Sequence, residues 1–196
     1  MHVLIVLAHP GGDSFNGAVC RALIQGLAEA GHTWDLADLH AERFRPVLEA
    51  EELRTLGSSA PAADVAGYQR RILDAQALAF VFPIWWFGMP AILKGFIDRV
   101  FQENFAFRFT PAGTVEGLLP HEKALVINTA GGGANLYRLF GFGKPLEKVF
   151  DRWTLRMCGI RKVRHVVFHD VVNTDDAARR RYLEETSRLG RHYFSQ

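Results

Sequence analysis

Six consecutive apolar residues, VLIVLA from Val3 to Ala8, open the chain and stop abruptly at HPGGDS. A short, unbroken run of β-branched and aliphatic residues suits a strand covered on both faces, the kind found in parallel sheets. The run leads into FNGAVCRALIQGLAEAG, where Val19, Leu23, Leu27 and Ala30 recur at helical spacing. Asp13 or Ser14 is available as a cap and Gly31 ends the segment.

The pattern then repeats. HTWDLADL (32–39) reads as a shorter second strand, 41–61 as a polar surface excursion, 65–76 as a helix, and ALAFVFPI (77–84) as a third strand. PAILKGFIDRVF from Pro90 reads as a helix with Pro in its first turn, where a missing N–H costs nothing; Gly95 is a slight weakness in it. Residues 102–120 read as a long loop containing FAFRF, and KALVINTA (123–130) as a fourth strand ended by GGG. The spacing predicts a helix over 145–157 with Leu146, Val149, Phe150 and Trp153 on one side, a fifth strand over 163–171 and a closing helix over 175–193. Five strands alternating with helices imply an α/β, doubly wound parallel sheet with helices on both faces, most simply in the order 2-1-3-4-5. Ligands then bind beyond the carboxyl ends at the switch between strands 1 and 3.

At 196 residues the chain suits a single domain spanning 1–196. A net charge of +2, with basic runs only at 161–165 and 179–181, gives no clustered stripe for nucleic acid. Cys20 and Cys158 form neither a disulfide framework nor metal-ligand spacing, so no metal is expected and a reducing compartment fits. The N-terminus lacks the marks of a secretory signal, and no apolar run reaches the roughly 18 residues of a membrane span. A soluble, cytoplasmic protein without membrane insertion is the expectation.

Three loops meet at the predicted edge. In the first, His9 and Ser14 can donate to a phosphate beside a helix N-terminus. The third carries Trp85, Trp86 and Phe87, which read either as core or as a ligand wall; their place at a strand end favours the wall. The fourth, TAGGG from Thr129, is neither a Walker loop nor a GxGxxG fingerprint. Its glycines make either a sharp turn or a place where backbone approaches the edge of a planar heterocycle. A phosphate, an aromatic plane and a polar backbone rim together describe a flavin nucleotide.

AHPGGDSFN, FPIWWFGMPAILKGFIDRVF and NTAGGGANLY resemble the first loop, the flavin loop with its helix, and the second flavin loop of the flavodoxin-like NAD(P)H:quinone oxidoreductase family. The likeness runs from residue 1 to about 145 and its long central motif is specific. It implies a flavodoxin-like fold and two-electron hydride transfer from NADH or NADPH through a flavin to a quinone or similar electrophile, in ping-pong order. It implies that His9, Ser14, Phe15 and Asn16 bind the phosphate side of FAD, that Pro83, Ile84, Trp85, Trp86 and Phe87 line the isoalloxazine, and that Thr129, Ala130, Gly131 and Gly132 meet its pyrimidine edge. Tyr137 matches a tyrosine reaching the flavin near O2. Phe107 and Phe109, with Trp86, fall where the family contacts substrate across a homodimer. The family's partner histidine falls at Gly143 here, leaving the adjacent Lys144 as the candidate cation. FAD is favoured over FMN by the SFN motif and the 41–61 excursion. The rival readings are a regulatory flavoprotein subunit of a potassium efflux system and a flavodoxin-type electron carrier, which would be smaller and more acidic.

Overall fold

The computed structural model describes residues 1–57, 60–141 and 143–195, and only the backbone at 55, 140, 143 and 144. The chain runs through β1 (His2–Leu7), α1 (Phe15–Glu29), β2 (Thr33–Asp38), α2 (Ala50–Thr55), α3 (Ala63–Asp74), β3 (Ala77–Pro83) and α4 (Ala91–Val100). It continues through β4 (Phe107–Phe109), β5 (Val115–Gly117), β6 (Lys123–Thr129), α5 (Ala134–Phe140), α6 (Gly143–Leu146), a π-helical stretch Glu147–Arg156, β7 (Lys162–Phe168) and α7 (Asp176–His192). Five strands form a parallel sheet in the order β2-β1-β3-β6-β7, which is the expected 2-1-3-4-5 wind counted by position in that sheet.

The central strands are apolar on both sides because both sides are covered. Val3, Ile5 and Leu7 of β1 with Val81, Leu125 and Ile127 pack under α1 and α7, while Leu4, Val6, Phe80, Phe82 and Val126 pack under α3, α4 and the π-helical stretch. Each such side chain removed from water contributes about 1.5–3 kcal/mol. On the first face α7 lies so close to α1 that a Cβ on Gly26 would sit 2.0 Å from the Ser187 carbonyl oxygen. On the second, a Cβ on Gly95 would sit 2.1 Å from the Pro46 carbonyl oxygen, so Gly95 admits the polar excursion against α4. Buried Arg99 of α4 fixes the same excursion, donating to Glu52 (2.9 Å), to Asp64 (2.8 Å) and to the Arg45 carbonyl (2.7 Å).

Three local expectations need correction, and one helix, α5, was not expected. The excursion at 41–61 holds a short helix, α2, whose first turn carries Glu51 and Glu52, where acidic side chains suit the helix dipole. The loop at 102–120 holds an antiparallel hairpin, with Phe107 opposite Gly117 and Phe109 opposite Val115. The glycine-rich segment is followed at once by α5. The helix at 145–157 is π-wound over most of its length: Leu146, Phe150 and Leu155 are buried at steps of four and five, while Val149 and Trp153 are exposed. An α-helical repeat of 3.6 selects the wrong stripe when the winding is i→i+5.

Candidate active site

The parallel register brings the carboxyl ends of β1, β3, β6 and β7 level: Leu7 pairs with Val81, Pro83 with Thr129, and Thr129 with Phe168. Just beyond the strands, the Ile84 N–H donates to the Thr129 carbonyl (2.8 Å) and the Ala130 N–H to the Phe168 carbonyl (2.9 Å). The loops that follow therefore start from a rigid edge at the topological switch point.

In the first loop the Ser14 Oγ accepts from the Gly17 N–H at 3.1 Å, capping α1 and leaving the hydroxyl hydrogen to donate elsewhere. His9 Nδ1 accepts from the Gly11 N–H at 3.0 Å. A neutral ring accepting at Nδ1 carries its hydrogen on Nε2, so the 3.3 Å approach of Nδ1 to the Gly11 carbonyl is not a hydrogen bond and Nε2 is the donor. The Phe15 ring turns toward Tyr182 of α7, 6.4 Å between centroids, so what Phe15 offers a ligand is its backbone N–H. Asn16 is buried and donates from Nδ2 to Thr129 Oγ1 at 2.9 Å, tying the first loop to the fourth; its buried Oδ1 has no partner among the described residues.

The third loop is a tight turn. Trp85 and Gly88 exchange two backbone hydrogen bonds of 3.0 Å, and both residues between them are left-handed, Trp86 at φ 50° and Phe87 at φ 59°. Such turns favour Asn-Gly, and a left-handed residue other than glycine costs roughly 1–2 kcal/mol. Two aromatic residues occupy it instead, with Trp86 96%, Trp85 45% and Phe87 43% exposed. Strain and exposed apolar rings thus coincide on this one turn. The Trp85 ring lies 6.0 Å from His9 of the first loop, and the Phe87 ring 6.0 Å from Tyr137.

The fourth loop runs beneath Tyr137. A Cβ on Gly132 would stand 3.1 Å from the Tyr137 ring, so any side chain there displaces the ring. Burial pushes the Tyr137 phenol above its ordinary range, which keeps its hydrogen on. The loop is held from β7: the Asp170 N–H donates to the Gly132 carbonyl and the Val171 N–H to the Ala130 carbonyl, both at 3.1 Å. His169 packs edge-on against Tyr137 at 4.9 Å, and both line a cavity of about 320 Å³. Sequence reasoning passed over His169, although it follows β7 at the same carboxyl edge as the other loops.

The predicted residues therefore divide. His9, Ser14, Asn16, Pro83, Ile84, Trp85, Trp86, Phe87, Thr129, Ala130, Gly131, Gly132 and Tyr137 lie at the ends of β1, β3 and β6 or directly beyond. Phe107 and Phe109 stand apart on the hairpin, with rings 5.8 Å from each other and Phe109 exposed. The Lys144 side chain lies outside the described residues. A larger opening of about 710 Å³ between the segment after β2 and α3 lacks the aromatic turn. Its Arg71 is already engaged with Asp35 and Glu42, and its Tyr68 hydroxyl with Glu42.

The molecule is an α/β protein with an open parallel sheet whose switch point carries an exposed aromatic turn, the start of a helix and a glycine-rich loop. Residues 1–189 match the family described as having a flavodoxin-like fold, and the chain belongs to that family. It is 34% identical over 185 residues to an uncharacterised NAD(P)H oxidoreductase of Haemophilus influenzae, covering 94% of this chain and 91% of the relative. It is 29% identical over 200 residues to NAD(P)H dehydrogenase (quinone) 1 of Cavia porcellus, covering 92% and 72%. The solved structure of an NAD(P)H:quinone oxidoreductase from Methanothermobacter marburgensis superposes with a TM-score of 0.91 at 34% identity, covering 98% of each chain.

Proposed function

We propose that this chain is a flavin-dependent NAD(P)H oxidoreductase that reduces quinones or similar electrophilic acceptors by two successive two-electron transfers in ping-pong order. One observation carries the reading: an exposed, left-handed aromatic turn held between His9 and Tyr137. The residues fit such a cofactor. The turn offers flat apolar surface, the fourth loop offers backbone groups without intervening Cβ atoms, and Asn16 Oδ1, without a partner among the described residues, sits where the first loop meets the fourth.

In this reading His9 Nε2, the Ser14 hydroxyl and the N–H groups of Phe15 and Asn16 at the start of α1 hold the phosphate end. Pro83, Ile84, Trp85, Trp86 and Phe87 form one wall of the slot. Thr129, Ala130, Gly131 and Gly132 present N–H and C=O groups to the pyrimidine edge. The bound flavin supplies the hydride chemistry, passing two electrons from NADH or NADPH to the acceptor. Tyr137, kept protonated by burial, donates near O2, and Lys144 is the candidate cation by its place in the sequence. Trp86 with Phe107 and Phe109 orients the acceptor by stacking, without phenolic hydroxyls.

FAD rather than FMN belongs to this reading on the strength of the SFN motif and the excursion at 41–61, and mass spectrometry of the heat-released cofactor tests it. The exposed Phe109 ring on the hairpin favours a homodimer in the cytoplasm with shared pockets; sedimentation of the holoprotein as a monomer would remove that part. Oxidation of NADH or NADPH by the purified holoprotein, with a quinone present and no partner reductase, tests the activity.

A further inference from the structure

β6 carries one polar side chain deep in the sheet, Asn128, fully buried among Val126, Phe82 and Phe150 on the face covered by the π-helical stretch. Its Nδ2 donates to the Phe82 carbonyl of β3 at 3.0 Å, which fixes Oδ1 as the end facing His165 Nε2 of β7, at 2.6 Å. The other ring nitrogen, Nδ1, faces both oxygens of Asp151 at 3.0 and 2.9 Å. His165 thus meets an acceptor at each nitrogen, and a ring that donates at both carries two hydrogens. Flipping the Asn128 amide would not relieve this, because it would set Oδ1 against the Phe82 carbonyl oxygen.

The winding around Asp151 follows from the same contacts. At roughly 4.4 residues per turn, Leu146, Phe150, Asp151 and Leu155 fall within about 50° of one line, whereas at 3.6 Asp151 would lie about 140° from Leu146. Only the wide winding turns the apolar stripe and the carboxylate toward the sheet together. The chain of contacts ends at Phe82, one residue before Pro83, while Asn128 itself immediately precedes Thr129. The two strands it joins are those that launch the aromatic turn and the glycine-rich loop.

We propose that Asp151, His165 and Asn128 form a buried relay in which His165 is an imidazolium, and that the relay sets the spacing of the β3 and β6 ends and thereby of the cofactor loops. These are positioning residues, and their bearing on the cofactor rests on the function proposed above. The relay also gives the π-winding a use: it delivers the counter-charge.

Imidazole nitrogen NMR of the wild-type holoprotein, with His165 assigned by its loss in His165→Gln, is expected to show both ring nitrogens protonated at neutral pH. In Asp151→Asn the new amide donates to Nδ1, so the ring becomes neutral, keeps its Nε2 hydrogen on Asn128, and flavin binding stays within about threefold. In Asn128→Leu the Phe82 carbonyl loses its side-chain donor and keeps only the strand bond that its pairing with β6 supplies. The Ile84 amide then exchanges faster with solvent, and flavin binding weakens by at least about tenfold. A bare ring nitrogen in the wild type, or Asn128→Leu with unchanged Ile84 exchange and flavin affinity, overturns the relay. Failure of the wild type to bind either FMN or FAD instead overturns the functional reading, while the ring-nitrogen and Ile84 measurements still decide the relay.

Discussion

Replacing Trp86 by glycine separates the two roles a residue can have at a strained turn. Trp86 is 96% exposed, so deleting its ring forfeits almost no burial. Its φ of 50° is one that glycine adopts freely. The relief is roughly 1–2 kcal/mol, offset by the ~0.4–1 kcal/mol that a more flexible unfolded chain costs. The apoprotein should therefore gain between about 0 and 1.6 kcal/mol, a rise in Tm of up to about 6 °C for a chain this long. A ring stacked on a planar cofactor or substrate contributes about 0.5–1.5 kcal/mol beyond its burial, so binding should weaken about 2–12-fold. Thermal melts of the flavin-free protein, paired with flavin and quinone titrations, read both quantities. An apoprotein destabilised by more than 1 kcal/mol with unchanged affinities would refute the reasoning, because Trp86 would then be part of the scaffold.

Other perturbations test the frame. Arg99→Met leaves Glu52 and Asp64 without their shared cation, and removing one partner of a buried pair costs 3–5 kcal/mol; with Asp64 partly exposed, about 3 kcal/mol is expected in urea denaturation, and a loss below 1 would contradict the anchoring role. Burial holds the His121 and His169 imidazoles below the ordinary value of 6.5, so the unfolded chain takes up protons first and stability is lost as pH falls from 6.5 through the folded values. Hydrogen bonds from Arg71 and Arg99 hold Asp35 and Asp64 below 3.8, adding a second loss under that pH. Denaturation midpoints followed downward from neutral pH should fall in these two windows; a flat profile across the first would exclude the histidines. Tyr137→Phe should slow reduction of the holoprotein by NADPH in stopped flow, and an unchanged rate would remove Tyr137 from the chemistry.

The strands β1, β3 and β6 were legible because a strand covered on both faces must be apolar throughout, and the shared edge of the candidate loops was legible because parallel strands end together. The left-handed turn was not, since Trp-Trp-Phe-Gly lacks the Asn-Gly that usually announces it. The π-helical stretch was misread because a 3.6 repeat fits Leu146 and Phe150 but also puts exposed Val149 and Trp153 on their side and turns buried Leu155 away. The hairpin at β4 and β5 escaped because each strand is three residues long, too short for alternation to register. Asn128, Asp151 and His165 could not be joined from sequence, because each looks like an isolated polar residue until the sheet order places β6 beside β7. His169 was within reach: the rule that exposed the three candidate loops applies equally to the residue after the last strand.

The central claim, that the three strand-end loops hold a flavin where a nicotinamide can reduce it, is tested most directly by loading the apoprotein with FAD or FMN and adding NADPH or NADH without oxygen. The account predicts tight uptake of one flavin, loss of its yellow absorbance on adding the nicotinamide, and its return on adding a quinone. A chain that takes up neither flavin, or holds one that no nicotinamide can bleach, contradicts it.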